Sequence, residues 1–176
     1  MLVQLGSRSA EQDVVDLLHE CHGRIRKFLT LAGTLAAAHD VAAAEAAEVA
    51  SRIARYFAVS YPLHLADEEQ SILPVLEREG DVREALARMQ SDHAEHEHEV
   101  ARVVEICRAI EQDPHTLGTR RDALGEAAAQ LSASLEPHLA VEEAEVFPAL
   151  RRLPQAIRDE LRAAMRARRE TIANRA

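Results

Sequence analysis

Residues 64–76 read HLADEEQSILPVL and residues 138–150 read HLAVEEAEVFPAL, two segments that agree at seven of thirteen positions with a constant offset of 74 residues. The same offset carries His19 onto His93 and His22 onto His96, so the chain reads as two copies of a helix pair. Each copy supplies one helix bearing histidines and one bearing His-x-x-x-Glu. In an α-helix, residues four apart lie one above the other on the same face, so each repeated segment points an imidazole and a carboxylate at one spot.

Working outward, apolar positions Val15, Leu18, Ile25, Leu29 and Ala32 recur in steps of three and four and predict a first helix over about residues 10–38. A second is expected over about 41–76, alanine-rich at its start, with a kink near Tyr61 because Pro62 lacks a backbone donor and clashes one turn back. Glu79-Gly80-Asp81 reads as a C-cap glycine followed by a new N-cap. The third helix then carries Leu86, Met89, Val100, Val103 and Cys107 and stops before Asp113-Pro114; a fourth spans about 120–150 and contains Pro137. After Leu153-Pro154 a short amphipathic helix with Ile157, Leu161, Ala164 and Met165 closes the chain. No stretch alternates with period two for long enough to predict a strand. The expectation is an all-α, up-down-up-down four-helix bundle over residues 1–150, with residues 151–176 forming a C-terminal amphipathic helix and basic tail on or beyond the bundle.

Composition agrees with one domain of this kind. The chain has 176 residues, 47% of them hydrophobic but only 3% aromatic, which suits close-packed helices better than a β-sandwich. The formal charge of −9, with no basic stripe interleaved with aromatics, speaks against a nucleic-acid role. No apolar run reaches the roughly 18 residues that a membrane span needs. Two cysteines, Cys21 and Cys107, make no CxxC and no disulfide framework; with no signal-peptide pattern at the start, a cytoplasmic protein is expected, monomeric or homodimeric. From Arg151 onward eight arginines face three acidic residues, a local +5 that leaves about −14 on the body; the simplest reading is a solvated face answering an acidic bundle.

Facing helices of a bundle are where two-metal carboxylate sites are built, with carboxylates bridging cations about 3.5–4 Å apart and imidazoles as terminal ligands. His64 with Glu68 and His138 with Glu142 are two such clamps. The first and third helices must supply the remaining histidines. His22 lies on the apolar stripe, four after Leu18 and three before Ile25, whereas His19 is nearer its edge. His93 lies four after Met89 and seven before Val100; His96 and Glu97 lie on or beside that face and could ligate or orient a ligating ring. Choosing His22 with His93 favours helical periodicity over the strict repeat, which would pair His22 with His96. Glu69 and Glu143 read as orienting or surface groups, His39, His98 and His115 as surface groups, the cysteines as small core residues, and Tyr56 and Tyr61 as packing residues that could also gate or hydrogen-bond a bound ligand. Zinc hydrolysis is set aside, since HExxH is absent and the candidate ligands exceed the four of a tetrahedral site.

The combination of His22 in HECHGRIRKFL, His64, Glu68, Glu69 and Pro74 in HLADEEQSILP, His93 in MQSDHAEH, and His138, Glu142, Glu143 and Pro148 in HLAVEEAEVFP resembles the hemerythrin-like HHE cation-binding family over about residues 10–150. The resemblance implies two non-haem iron ions with an oxo or hydroxo bridge, held by His22, His64, His93 and His138 and bridged by Glu68 and Glu142. It also implies a diatomic or peroxide ligand. Oxygen-carrying members place a second histidine four residues after the first on the third helix, where this chain has Glu97, which leans toward sensing or redox chemistry. Three functions follow as expectations: a protein that binds or senses oxygen, nitric oxide or peroxide; an oxidoreductase that consumes them or supports iron–sulfur repair; and an iron-responsive regulatory or storage module.

Overall fold

The computed structural model describes residues 12–79 and 82–173, and these contain helices and no strand. Helix α1 is Val14–Ala37; Asp13 caps it through a reciprocal capping box with Asp16, which satisfies two of the otherwise orphaned amides of the first turn. Helix α2 runs from 43 to 79, α3 is Arg83–Gln112, α4 runs from 117 to 152 after a 3₁₀ turn at Pro114–Thr116, and α5 is Gln155–Ala173. The cap glycine Gly80 and the expected N-cap Asp81 lie outside the described residues. Val82, which precedes α3, has φ 56°, a left-handed conformation strained for a β-branched side chain.

α1 packs chiefly on α4, α2 on α3 and α3 on α4, with α1 against α2 completing the ring; α5 lies across α1 and the middle of α2. The fold is thus the expected bundle with one additional C-terminal helix. Its apolar interior falls into two layers. One gathers Ile25, Leu29, Ile53, Phe57, Val103, Leu131 and Leu135; the other gathers Val15, Leu18, Ile72, Leu76, Met89, Phe147, Leu161 and Met165. Every bundle helix crosses from one layer to the other at the level of an inward histidine or glutamate: between Leu18 and Ile25, Tyr61 and Ile72, Met89 and Val100, and Leu139 and Val146. The repeat therefore positions one polar layer between two dry hydrocarbon layers.

The proline effects take a specific form. α2 has π-helical turns at Tyr56–Ser60 and Glu68–Ile72, and α4 has one at Glu142–Val146. Each ends two residues before a proline, Pro62, Pro74 or Pro148, and each closes with a wide bond, from the Tyr61, Leu73 and Phe147 amides to the Tyr56, Glu68 and Glu142 carbonyls respectively. A proline gives no amide to the carbonyl four residues back, so the preceding turn can widen at little additional cost. The expected kink near Tyr61 is such a widened turn. Pro137 sits inside regular α-helix and has no such turn before it.

Candidate metal centre

His22, His64, Glu68, His93, His138 and Glu142 meet in the polar layer, all of them buried. Each His-x-x-x-Glu pair closes as helical spacing requires: His64 Nε2 stands 3.1 Å from Glu68 Oε1, and His138 Nε2 stands 2.9 Å from Glu142 Oε1. The second oxygen of each carboxylate faces another helix. Glu68 Oε2 is 3.3 Å from His93 Nε2 of α3, and Glu142 Oε2 is 3.0 Å from His22 Nε2 of α1. The inward atoms form two groups, His22 with His64 and His93 with His138. Both groups share Glu68 and Glu142, and the atoms of each lie within 4.8 Å of one another.

These distances are those of hydrogen bonds, but the directions are not. His22 Nε2, His93 Nε2, Glu68 Oε2 and both carboxylate oxygens of Glu142 are buried and make no hydrogen bond. Buried polar atoms without partners are rare and costly, and here they converge on common points instead of donating to one another. The outer ring nitrogens behave differently. His22 Nδ1 is 2.8 Å from Glu143 Oε1, His93 Nδ1 is 3.0 Å from Glu69 Oε1, and His138 Nδ1 is 3.2 Å from Asp92 Oδ2, all properly directed. An ionised carboxylate can only accept, so each neutral ring carries its proton on Nδ1 and turns the bare Nε2 inward. That arrangement suits a cation: three of the four imidazoles have an outer acceptor that favours a bare inward Nε2, and two carboxylates can be shared.

Electrostatics supports the same reading. Burial, followed by repulsion from Glu142, raises the Glu68 carboxyl well above the ordinary range. Burial acts on Glu142 too, but the close approach of His138 and His22 outweighs it and holds that carboxyl below the ordinary range. Burial pushes His64 down to about 3, and His93 is lowered chiefly by the same cause. His138 moves upward: burial opposes its charge, but Glu142 and Asp92 more than offset that. Without a cation the layer divides its protons between the copies, with Glu68 neutral and Glu142 ionised against His138. Two ionised glutamates in so dry a place would cost several kcal/mol each unless compensated.

The hemerythrin HHE cation-binding domain matches residues 13–150. The chain belongs to this family. Among curated proteins, none matches the chain. As an HHE domain it is a cation-binding bundle whose buried histidine and glutamate groups suit two metal ions.

Other residues singled out in the sequence fall as follows. His19 is exposed, its ring edge-on to Phe147, and Glu97 is exposed. His96 is buried, 5.0 Å between ring centroids from His138, with Nδ1 unpartnered. Glu69 and Glu143 orient His93 and His22 across the repeat, each carboxylate serving a ring of the other copy. His39, His98 and His115 are exposed, Cys107 is buried in the core, and Tyr56 stacks on Phe28 at 4.0 Å between ring centroids.

Two features were not foreseen. Asp92 stands directly before His93 in MQSDHAEH, but its contact with His138 depends on the lateral packing of α3 against α4. The basic tail is not merely a solvated face. Arg168 Nη1 lies 2.6 Å from Asp67 Oδ1 and Arg169 Nη2 2.7 Å from Asp67 Oδ2, while Asp67 itself is fully buried. Arg168 also reaches the Ser71 hydroxyl, and Arg169 the Cys21 sulfur at 3.7 Å. α5 thus grips the widened turn that presents Glu68. The sequence carried one hint, an aspartate on a helix face that must be buried if His64 and Glu68 are.

Proposed function

We propose that this chain is a non-haem di-iron protein whose centre binds, or reacts with, a small ligand such as dioxygen, nitric oxide or peroxide. The observation that supports it most directly is the convergence of buried nitrogen and oxygen atoms that face one another without hydrogen-bonding. Each group offers two imidazoles and the two shared carboxylates, a mixed set that suits iron among first-row metals. His22 and His64 would hold one ion, His93 and His138 the other, and Glu68 and Glu142 would span both. Bound iron would supply reversible ligand binding or one-electron chemistry.

The protein's own contribution is mechanical and electrostatic. Glu143, Glu69 and Asp92 fix the ring orientation of His22, His93 and His138. The hydrocarbon layers on either side exclude water and so favour small, weakly hydrated ligands. Among the described residues no helix is long and apolar enough to cross a membrane, and a cytoplasmic monomer or homodimer fits the composition.

Metal analysis of purified protein tests the reading: about two irons per chain are expected, and a preparation that takes up no iron under reducing, anaerobic loading would refute it. The companion roles separate by spectroscopy and turnover. A visible band that appears with oxygen and fades under vacuum marks binding. Catalytic loss of peroxide or nitric oxide marks an oxidoreductase. A large rise in melting temperature on loading, with neither behaviour, marks an iron-responsive module.

A further inference from the structure

Among the described residues, two unpartnered buried polar atoms near the metal layer belong to none of the six proposed ligands, His96 Nδ1 beside His138 and the Tyr61 hydroxyl beside His64. Tyr61 is 2% exposed, and its hydroxyl has no hydrogen-bond partner. It shares this state with the inward atoms of His22, His93, Glu68 and Glu142. The residue lies three before His64 on α2, so the two side chains share a helix face, with ring centroids 6.3 Å apart. Phe57 packs on its other side at 6.1 Å. Tyr61 also lines a surface groove of about 380 Å³, with Phe57, Leu65 and Val100. Tyr61 is thus the partition between that groove and the His64 side of the polar layer.

We infer that the Tyr61 hydroxyl is the hydrogen-bond donor for the small ligand held at the metal layer, and so helps to set which ligands the centre retains. This rests on the di-metal reading above. The burial of the hydroxyl, its missing partner and its place beside His64 carry it. An unpartnered buried hydroxyl is costly, and a ligand acceptor would relieve that cost. A phenol is protonated at neutral pH and so can donate to a ligand acceptor. Tyrosines that only pack are expected either to reach solvent or a partner with the hydroxyl, or to be replaceable by phenylalanine without loss.

The test compares wild type, Tyr61→Phe and the control Tyr56→Phe, the latter altering a buried tyrosine stacked on Phe28 away from the layer. Azide is the probe, titrated into the iron-loaded proteins and followed by visible absorption. Tyr61→Phe is expected to keep its iron and bind azide about tenfold more weakly, the loss of one hydrogen bond, while Tyr56→Phe binds like wild type. Melting temperature gives a readout that needs no ligand chemistry. In the metal-free proteins Tyr61→Phe melts at or above wild type, because the orphan hydroxyl is gone; in the loaded, azide-bound proteins it melts below. An azide affinity within twofold of wild type, or the same melting shift in both forms, would overturn the inference and leave Tyr61 as a packing residue. Failure of wild type itself to load iron would instead remove the di-metal reading, and this inference with it.

Discussion

The two copies of the His-x-x-x-Glu-Glu motif share spacing, the widened turn that begins at the first glutamate, and a place between the same two hydrocarbon layers. They differ most at the residue before that glutamate. In the second copy it is Val141, a partly buried hydrophobic packed against the apolar layer beneath. In the first it is Asp67, fully buried and held by two arginines of α5. The ring nitrogens differ in parallel: His138 Nδ1 rests on Asp92, whereas His64 Nδ1 is buried without a partner. Protonation differs too, with the Glu68 carboxyl raised and that of Glu142 lowered. A repeat in sequence thus fixes where the donor atoms go but not the electrostatic setting of each half, which the surrounding helices decide.

The strongest way to break this comparison is to remove each carboxylate in turn. Because both glutamates serve both groups, Glu68→Ala and Glu142→Ala are each expected to lose most of both metal ions, read by elemental analysis. A variant that kept one full ion while the other kept none would show that the copies serve separate metals. Next in size is the buried clamp. Asp67→Val makes the first copy resemble the second and leaves Arg168 and Arg169 without their shared partner. It should cost about 2–3 kcal/mol in urea unfolding, reduced from the fully buried case because both arginines are partly exposed. The triple variant Asp67→Val, Arg168→Met, Arg169→Met should recover most of that loss, since apolar replacement of a buried ion group is often near neutral. Asp92→Asn sharpens the contrast between the histidines. With a weaker acceptor on His138 Nδ1, metal affinity should fall about tenfold, measured by competition with a chelator, although Asp92 touches no metal-facing atom.

The smallest effects are those of pH on the metal-free protein. Glu68 and His138 have raised folded values, so the stability they contribute is present at low pH and is lost as pH rises through those values. His64 and Glu142 have depressed values; for His64 stability declines as pH falls from 6.5 toward about 3, and for Glu142 as it falls below the ordinary range near 4.5. His93 is lowered as well, so below 6.5 the histidines outweigh Glu68; the metal-free protein is therefore expected to melt highest at about pH 6.5 and to lose stability on either side. Loading displaces the protons on Glu68 and His138, so the rise in melting temperature on loading should grow with pH. Calorimetry across pH 5–8.5 checks both; a loading effect independent of pH would contradict the division of protons between the copies.

Much of this was legible in the chain. Apolar spacing of three and four residues marked the helices, because burial of one helical face is a local property of sequence. The six inward side chains were legible for the same reason: a residue in register with Leu18 and Ile25, or with Met89 and Val100, must enter the bundle when they do. The strict repeat pointed to His96 opposite His22, yet His93 is the residue that faces Glu68, and His96 lies behind it against His138. A slip of three residues is nearly one helical turn, so both rings stay on the buried side and only axial position distinguishes them.

By itself, then, the sequence determined the number of helices, their buried faces and the level at which imidazoles and carboxylates must meet, since all of these follow from the α-helical period and from prolines that withhold an amide. Only the tertiary structure decided that Asp92 would reach His138, that Glu69 and Glu143 would each orient a ring of the other copy, and that α5 would turn two basic residues inward onto Asp67. Those contacts join residues between 24 and 121 positions apart. No helical period relates such residues; they are brought together only when the helices pack side by side.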